Sequence, residues 1–265
     1  MTFRQKLDAI VASQNSLVCV GLDSDEKKIP SSITGSDRQF TFNKSIIDST
    51  HDFVCGYKPN SAFYEGSGAD GVRQLKLTCD YLREKYPDIV IILDAKRADI
   101  GNSNEGYAKF VFDHLGADAV TLHPYLGKEA LKPFLDRKDK ESFIFCRSSN
   151  PGGGEFQDLV VDGMPFYQVV AQHVVRDWND NKNCGLIVGA PYPAELAIVR
   201  RIAGDMPFLI PGIGAQGGDL EKTVKASVNS TGKNAIINAS RSIIFAQEPR
   251  TEAQKLRYEI NKYRS

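Results

Sequence analysis

The chain has 265 residues, of which 42% are hydrophobic and 25% are charged, as is typical of a globular protein. Its 33 basic and 33 acidic residues give a formal net charge of zero, so no broad electrostatic field favours nucleic acid or an anionic membrane. No segment approaches the roughly 20 apolar residues of a membrane span, and the first residues lack the apolar stretch of a signal peptide.

The five cysteines are scattered along the chain without a Cys-x-x-Cys pair, as is common in proteins of the reducing cytosol. We therefore expect a cytoplasmic protein with no nucleic-acid or membrane partner. The thiols themselves are expected to be small core residues.

The predicted secondary structure begins with a helix and then alternates between strands and helices. Apolar residues at helical spacing over residues 3–13 predict a short leading helix. Apolar segments then predict strands over residues 17–23, 56–60, 88–96, 119–123, 143–147, 185–189, 208–212 and 235–239. Helical patterns follow them over residues 42–53, 70–85, 104–115, 128–135, 167–180, 193–202, 219–228 and 252–263. Strict alternation without a long linker predicts a single α/β domain, a (β/α)8 TIM barrel over residues 1–265.

The third predicted strand ends in a cluster of charges. Its apolar run over residues 89–93 is typical of a strand buried on both faces. Two carboxylates and one ammonium follow it, those of Asp94, Lys96 and Asp99. Because side chains alternate along a strand, Asp94 and Lys96 should point the same way. Charges at such a place are paired or functional, and a purely structural ion-pair network is the alternative.

Polar residues also lie at or just after the carboxyl ends of other predicted strands, and in this fold those ends form the active-site rim. They are Asp23, Lys58, Ser148, Ser149, Asn150, Ser240 and Arg241. Lysines that alternate with carboxylates on neighbouring strands should stay protonated, because nearby opposite charge favours the charged form. This argues against a Schiff-base lysine and for one that donates a proton or stabilises an anion.

A glycine-rich segment follows the seventh predicted strand. Gly212-Ile-Gly-Ala-Gln-Gly217 matches G-x-G-x-x-G, but it does not follow the first strand and lacks a ribose-binding acid about 20 residues later. We therefore reject a dinucleotide-binding fold. In a barrel, the loops after strands seven and eight commonly bind phosphate through backbone amides. The segment 212–218 is predicted to bind one phosphate with Gln216, Ser240 and Arg241, and ordinary tight turns are the alternative.

Other segments give weaker indications. The four histidines show no metal-ligand spacing, so we expect no metal site. His123 stands at a strand end, where we expect packing or a hydrogen bond. The glycine-rich loop over residues 151–157 is flexible enough to act as a lid, and a plain surface loop is the alternative.

With these residues assembled, the chain resembles the orotidine 5′-phosphate decarboxylase family, especially the branch found in some bacteria and in malaria parasites. The segment Asp94-Ala-Lys-Arg-Ala-Asp-Ile100 is similar to the family's Asp-x-Lys-x-x-Asp motif. Further family motifs occur in the same order, namely Leu22-Asp23, Tyr57-Lys58, Ser149-Asn-Pro-Gly152, Pro211-Gly-Ile-Gly-Ala-Gln-Gly-Gly218 and Ser240-Arg-Ser242. Related sugar-phosphate decarboxylases share the first motif, whereas the combination is specific.

The resemblance implies decarboxylation of orotidine 5′-monophosphate (OMP) to uridine 5′-monophosphate (UMP) in de novo pyrimidine biosynthesis, without a cofactor. It implies a catalytic network of alternating charges formed by Lys58, Asp94, Lys96 and Asp99. Within that network, Lys96 delivers the proton that replaces the departing carboxylate at C6.

The resemblance also implies how the substrate is bound. Asp23 and Lys58 hold ribose hydroxyls, and Ser149 bonds the pyrimidine ring. Asp99 and Ser103 contact the ribose from the neighbouring subunit of a homodimer. The 5′-phosphate is bound by Gln216, Ser240 and Arg241.

Two positions depart from many relatives: Gly101 stands in place of proline, and Ser103 in place of threonine. We expect the Ser103 hydroxyl to keep its contact, and Gly101 to loosen the turn after Asp99.

Two other functions stay open. A decarboxylase or aldolase acting on a keto-sugar phosphate would use Mg²⁺ to stabilise an enediolate, although Lys58 would crowd such a metal with positive charge. A non-catalytic nucleotide-binding barrel would keep the pocket, and the loss of a member of the charge network would support it. None of the four members is lost.

Overall fold

The computed structural model describes residues 1–214 and 219–264. Eight parallel strands close into a barrel in which the last strand pairs with the first. They are β1 (Val18–Leu22), β2 (Gly56–Pro59), β3 (Val90–Arg97), β4 (Ala119–Leu122), β5 (Glu141–Arg147), β6 (Cys184–Val188), β7 (Phe208–Pro211) and β8 (Ala235–Ala239). The predicted (β/α)8 fold is confirmed.

Helices surround the barrel and connect its strands. In chain order they are α1 (Phe3–Gln14), α2 (Arg38–Thr50), α3 (Ala62–Glu65), α4 (Gly68–Lys85), α5 (Gly101–Ala108), α6 (Gly127–Leu135), α7 (Gly154–Gln157), α8 (Phe166–His173), α9 (Pro193–Ala203), α10 (Leu220–Ser227), α11 (Arg241–Ile244) and α12 (Pro249–Tyr263). Helices α5 and α8 continue as π-helical turns over Lys109–His114 and Val174–Trp178. A small antiparallel hairpin pairs Val160–Val161 with Met164–Pro165.

Helix α2 begins at Arg38, earlier than the apolar pattern predicts. The reason is Gln39, whose buried side chain donates to the carbonyl oxygens of Ser24 (2.8 Å) and Phe63 (3.0 Å). Because its side chain is hydrogen-bonded, a polar residue can be buried here, but it is not counted in the spacing of apolar residues from which the helix is predicted. The short helices α3, α7 and α11 and the hairpin are not predicted from the sequence, because segments this short show no periodic spacing of apolar residues.

The barrel strands are apolar because helices cover their outer faces and side chains fill the interior. Every residue of β1, β6 and β8 is buried. All five cysteines are free thiols in this core, as expected. Across residues 1–214 and 219–264, no helix combines the length and the apolar character needed to cross a membrane.

Helix α1 lies against the amino ends of the strands. Its start is capped by the Thr2 side chain, which accepts from the Gln5 backbone N–H. From its first turn, Arg4 pairs with the carboxylate of Glu141, the first residue of β5 (3.1 Å between Nε and Oε2). Helix α1 therefore lies at the end of the barrel opposite the carboxyl ends of the strands.

Candidate active site

A cavity of about 290 Å³ opens at the carboxyl ends of the strands. The predicted site residues that line it are Asp23, Lys58, Asp94, Lys96, Ser149, Ser240 and Arg241. They lie at or just after the carboxyl ends of five strands, β1, β2, β3, β5 and β8, so the barrel brings together residues that are distant in sequence. Gln216, which is also a predicted site residue, lies outside the described residues.

Asp94 lies between two lysines. Nζ of Lys58 donates to Oδ2 of Asp94 at 2.8 Å, and Nζ of Lys96 donates to Oδ1 at 2.6 Å. The Lys58 side chain is only 4% exposed, whereas that of Lys96 is 42% exposed. Lys96 is therefore the more accessible of the two ammonium groups in the cavity.

The three charges stabilise one another. Burial alone would raise the pKa of the Asp94 carboxyl, but Lys58 and Lys96 outweigh burial and hold that pKa well below its usual range. Burial likewise acts to lower the pKa of Lys58, but Asp94 and Asp23 outweigh it and raise that pKa above its usual value. Lys58 and Asp94 are therefore both ionised at neutral pH, and a lysine held protonated in this way is a poor Schiff-base nucleophile.

Asp94 and Lys96 converge on the cavity, but not through regular strand geometry. Lys96 has a φ of 47°, in the left-handed region that residues other than glycine rarely adopt. The pairing of β3 with β4 shifts between Leu93 and Arg97, so Lys96 lies in a bulge. Simple alternation predicts the right direction, but the bulge is what directs this side chain. Such backbone conformations cost about 1–3 kcal/mol and are concentrated at functional sites.

Asp23 follows β1 and offers an acceptor at the cavity wall. Among the described residues, its buried Oδ1 atom has no hydrogen-bond partner. The backbone on either side is held in place: the Tyr64 hydroxyl donates to the Leu22 carbonyl (3.0 Å), and Gln39 donates to that of Ser24 (2.8 Å). The backbone around Asp23 is thus fixed, and its side chain lies at the cavity wall with one oxygen unpaired among the described residues.

The loop after β5 is tied to the cavity wall by one side chain. Oε1 of Gln157 accepts from the backbone N–H of Ser148 (2.9 Å) and from its hydroxyl (3.1 Å). The buried guanidinium of Arg147 donates to the same oxygen at 3.0 Å. A Cβ atom on Gly153 would lie only 2.4 Å from the Ser148 hydroxyl, so this close approach requires glycine. The predicted lid loop is therefore folded against the rim next to the pyrimidine-binding candidate Ser149.

The predicted phosphate site is described in part. Ser240 and Arg241 stand where β8 passes into α11, and Arg241 is exposed at the rim of the cavity. Gly212 lines the same cavity. Residues 215–218 of the glycine-rich segment lie outside the described residues. The described part places one guanidinium and one serine hydroxyl at the rim, both suited to an anion.

Asp99 and Ser103 do not line the described part of the cavity. Both lie after β3, where Asp99 is half-buried and Ser103 is exposed. Asn104 holds this turn, because its side chain accepts from the Asp99 N–H (3.0 Å) and donates to the Asp99 carbonyl (2.6 Å). Gly101 has a φ of 40°, which proline cannot adopt. The turn therefore suits glycine, and Asn104 supplies rigidity. Contacts of Asp99 and Ser103 across a dimer stay a prediction.

Several cavity-lining residues were missed by the sequence patterns. They are Asn60, Thr121, Phe145 and Asn238. Thr121 and Asn238 are polar residues inside otherwise apolar strands, which is a signal that sequence reasoning could have used. Phe145 lies beneath the Lys96 ammonium, 5.5 Å from Nζ to the ring centre, and stacks on His123. His123 therefore packs, as expected.

Within residues 1–214 and 219–264, no group of three or more His, Cys, Asp or Glu side chains is arranged to hold a metal ion. In the cavity, both oxygens of Asp94 already accept hydrogen bonds from ammonium groups. A cation at this carboxylate would face the repulsion of both lysines.

Comparison with known proteins supports the family resemblance. A family model described as the orotidine 5′-phosphate decarboxylase / HUMPS family matches residues 16–256. The orotidine 5′-phosphate decarboxylase of Janthinobacterium sp. (strain Marseille) is 49% identical over 258 residues, which are 97% of this chain and 94% of the relative.

Solved structures show the same likeness. Leishmania donovani OMP decarboxylase has a TM-score of 0.90 and 37% identity, with 100% of this chain and 99% of that chain covered. Leishmania donovani UMP synthase has a TM-score of 0.92 and 39% identity, with 100% of this chain and 57% of that chain covered. The resemblance indicated by the motifs is thus confirmed along the whole barrel. This chain belongs to the orotidine 5′-phosphate decarboxylase / HUMPS family.

Proposed function

We propose that this chain is a carboxy-lyase that converts OMP to UMP in pyrimidine biosynthesis, without a cofactor, and that Lys96 is the proton donor. The observation that carries the proposal is the pairing of an exposed Lys96 ammonium with a buried Asp94 carboxylate at 2.6 Å. That pairing places a fixed positive charge at the cavity. Family membership supports the same reaction.

The chemistry requires stabilisation of an anion. Departure of CO₂ breaks the carbon–carbon bond at C6 of the pyrimidine and leaves the electron pair on C6. A preorganised ammonium beside that atom stabilises the charge as it develops. Lys96 then transfers one proton from Nζ to C6, which yields UMP and a neutral amine that solvent reprotonates.

Asp94 and Lys58 prepare Lys96 for this step. Two ammonium groups and one carboxylate give these three side chains a net charge of +1, which suits an anionic reaction centre. Since Asp94 is held from both sides, little reorganisation is needed when the charge develops at C6.

The remaining cavity residues bind the nucleotide. The Asp23 carboxylate lines the cavity and suits a ribose hydroxyl, and Lys58 lines it from the neighbouring strand. Ser149 is assigned to the pyrimidine ring. The 5′-phosphate is assigned to Arg241 with Ser240 and Gln216. Binding energy from this remote phosphate can hold the ring in place and so raise the rate as well as the affinity.

We infer a homodimer in which Asp99 and Ser103 enter the neighbouring subunit's site. Ser103 is exposed and neither residue lines the described cavity of its own chain. Exposed apolar side chains lie on the same segment after β3 and on the loop after β4, with Ile100 63% and Tyr125 88% exposed. Such side chains are suited to burial against a second copy.

The test is the ultraviolet absorbance of OMP mixed with purified protein in excess EDTA. Conversion to UMP without metal supports the proposal, and the Lys96→Ala variant in the same assay controls for contaminating activity. If OMP is unchanged but a keto-sugar phosphate turns over with Mg²⁺, the sugar-phosphate function replaces the proposal. If neither reaction occurs, the chain is a nucleotide-binding barrel without this activity.

A further inference from the structure

The bulge in β3 makes Thr121 of β4 the neighbour of the charge network. Pairing between the two strands is regular up to Leu93 and resumes at Arg97. Leu93 pairs with Val120 of β4, and Arg97 pairs with Leu122. Thr121 is therefore the single β4 residue opposite the three residues 94–96. Residues 94–96, which carry the carboxylate and the ammonium, therefore all face this one threonine.

The Thr121 hydroxyl makes two hydrogen bonds to that segment. It accepts from the backbone N–H of Lys96 at 2.9 Å and donates to Oδ1 of Asp94 at 3.0 Å. Thr121 is only 1% exposed, so water does not compete for these bonds. The hydroxyl replaces the carbonyl acceptor that a regular ladder would offer to the Lys96 N–H. One oxygen atom thus holds the backbone of Lys96 and the carboxylate to which its ammonium binds.

We propose that Thr121 is a positioning residue for proton transfer at this site. Its hydroxyl holds Lys96 in the left-handed conformation and orients Oδ1 of Asp94, and together these contacts direct Nζ of Lys96 into the cavity. The inference rests on the proposed function, in which Lys96 protonates the substrate. Thr121 acts through Asp94 and Lys96 and is not itself a catalytic residue.

A hydroxyl is matched to both contacts at once. It accepts with a lone pair and donates with its single proton, so serine can replace it and valine cannot. Without the hydroxyl, the Lys96 N–H has no acceptor and the left-handed conformation loses its support. Oδ1 of Asp94 then bonds only to the Lys96 ammonium, and the two side chains can move together away from the productive position. Because the ribose and the phosphate are assigned to other residues, the chemical step should slow while binding persists.

The experiment compares Thr121→Val, Thr121→Ser and the control Thr50→Val. Thr50 is also fully buried, and its hydroxyl donates to the Ile46 carbonyl at 2.7 Å, outside the cavity. We measure kcat and KM for OMP, the affinity for UMP and the melting temperature. In Thr121→Val, kcat should fall about 10- to 100-fold, since small displacements of a reacting group have effects of this size. KM and the UMP affinity should change less than about threefold. Thr121→Ser should keep kcat within about threefold of the wild type, and so should Thr50→Val.

Several results would overturn the positioning role. One is a wild-type kcat in Thr121→Val, and another is a Thr121→Ser enzyme as slow as the valine variant. A loss confined to KM would also contradict it. Should Thr121→Val not fold, Thr121→Ala removes the same hydroxyl with a smaller side chain and takes its place. The wild-type assay separates the two hypotheses: inactivity of the wild type refutes the proposed function, whereas an active wild type with an unaffected valine variant refutes only the role of Thr121.

Discussion

Nζ of Lys96 lies 2.6 Å from Oδ1 of Asp94, and the lysine side chain is 42% exposed while the carboxylate side chain is 12% exposed. The pair joins an accessible ammonium group to a buried carboxylate. A second lysine, Lys58, holds the other carboxylate oxygen from inside the barrel. The buried carboxylate is therefore fixed on both sides, which limits where the accessible ammonium can go.

Lys96→Ala should lower kcat for OMP by at least about 10³-fold, because in the proposed mechanism it removes both the proton donor and the charge that stabilises the anion at C6. The affinity for UMP should change little, since ribose and phosphate are assigned to other residues. Steady-state kinetics and calorimetric titration with UMP measure the two quantities.

The matched control for that variant is Lys128→Ala. Lys128 has a similarly exposed side chain, at 44%, and it also pairs with a carboxylate, that of Asp180 at 2.7 Å. Its removal should leave kcat unchanged. Substantial residual turnover in Lys96→Ala would rule out the proton-donor role.

Arg241→Ala should weaken UMP binding about 30- to 100-fold and uridine binding by less than about threefold, because a guanidinium bonds a phosphate dianion with two charge-assisted hydrogen bonds. Titration of the variant with each ligand measures the difference. Arg201→Ala, which removes an exposed guanidinium from α9, is the control. Equal losses for UMP and uridine would show that Arg241 does not bind the phosphate.

Glu141 should make the stability of the protein depend on pH. Burial raises the pKa of this carboxyl to about 7, and Arg4 offsets burial only in part. The ordinary pKa of a glutamate side chain is 4.5, so between that pH and about 7 the folded chain keeps a proton on Glu141 that the unfolded chain has released. The contribution of Glu141 to the free energy of unfolding is therefore largest at low pH. It falls as the pH rises to about 7, by about 3 kcal/mol in total.

Urea unfolding at pH 5 and pH 8 measures this effect. Glu141→Gln does not titrate, so its unfolding free energy should fall less than that of the wild type between the two values. Glu221→Gln is the control, because that carboxylate is 49% exposed and pairs only at the surface. A variant at position 141 with the same pH dependence as the wild type would contradict the assignment.

Gln157→Leu should raise KM for OMP by about tenfold, because three hydrogen bonds that hold the loop against Ser148 and Arg147 are lost. The loop then spends part of its time away from the rim, next to the serine assigned to the pyrimidine. Glu155→Gln, an exposed position on the same short helix, should leave KM unchanged. An unaltered KM in Gln157→Leu would mean that the loop plays no part in binding.

The sequence alone was sufficient for the architecture and for most of the residues in the site. Buried parallel strands are apolar on both faces, so each strand of the barrel is visible as a short apolar run between helical patterns. Since the barrel collects the carboxyl ends of its strands at one rim, polar residues that follow those runs, such as Asp23, Lys58 and Arg241, identify the cavity.

Only the tertiary structure determined the directions in which the charged side chains of the cavity point. The left-handed backbone of Lys96 arises from a bulge between two strands, and no periodicity within β3 encodes it. Thr121 becomes important because its neighbour strand is irregular, and Gln157 because its loop folds back on Ser148. These hydrogen bonds join residues that lie apart in the chain, so they depend on packing between elements, whereas apolar patterns report only the burial of each element by itself.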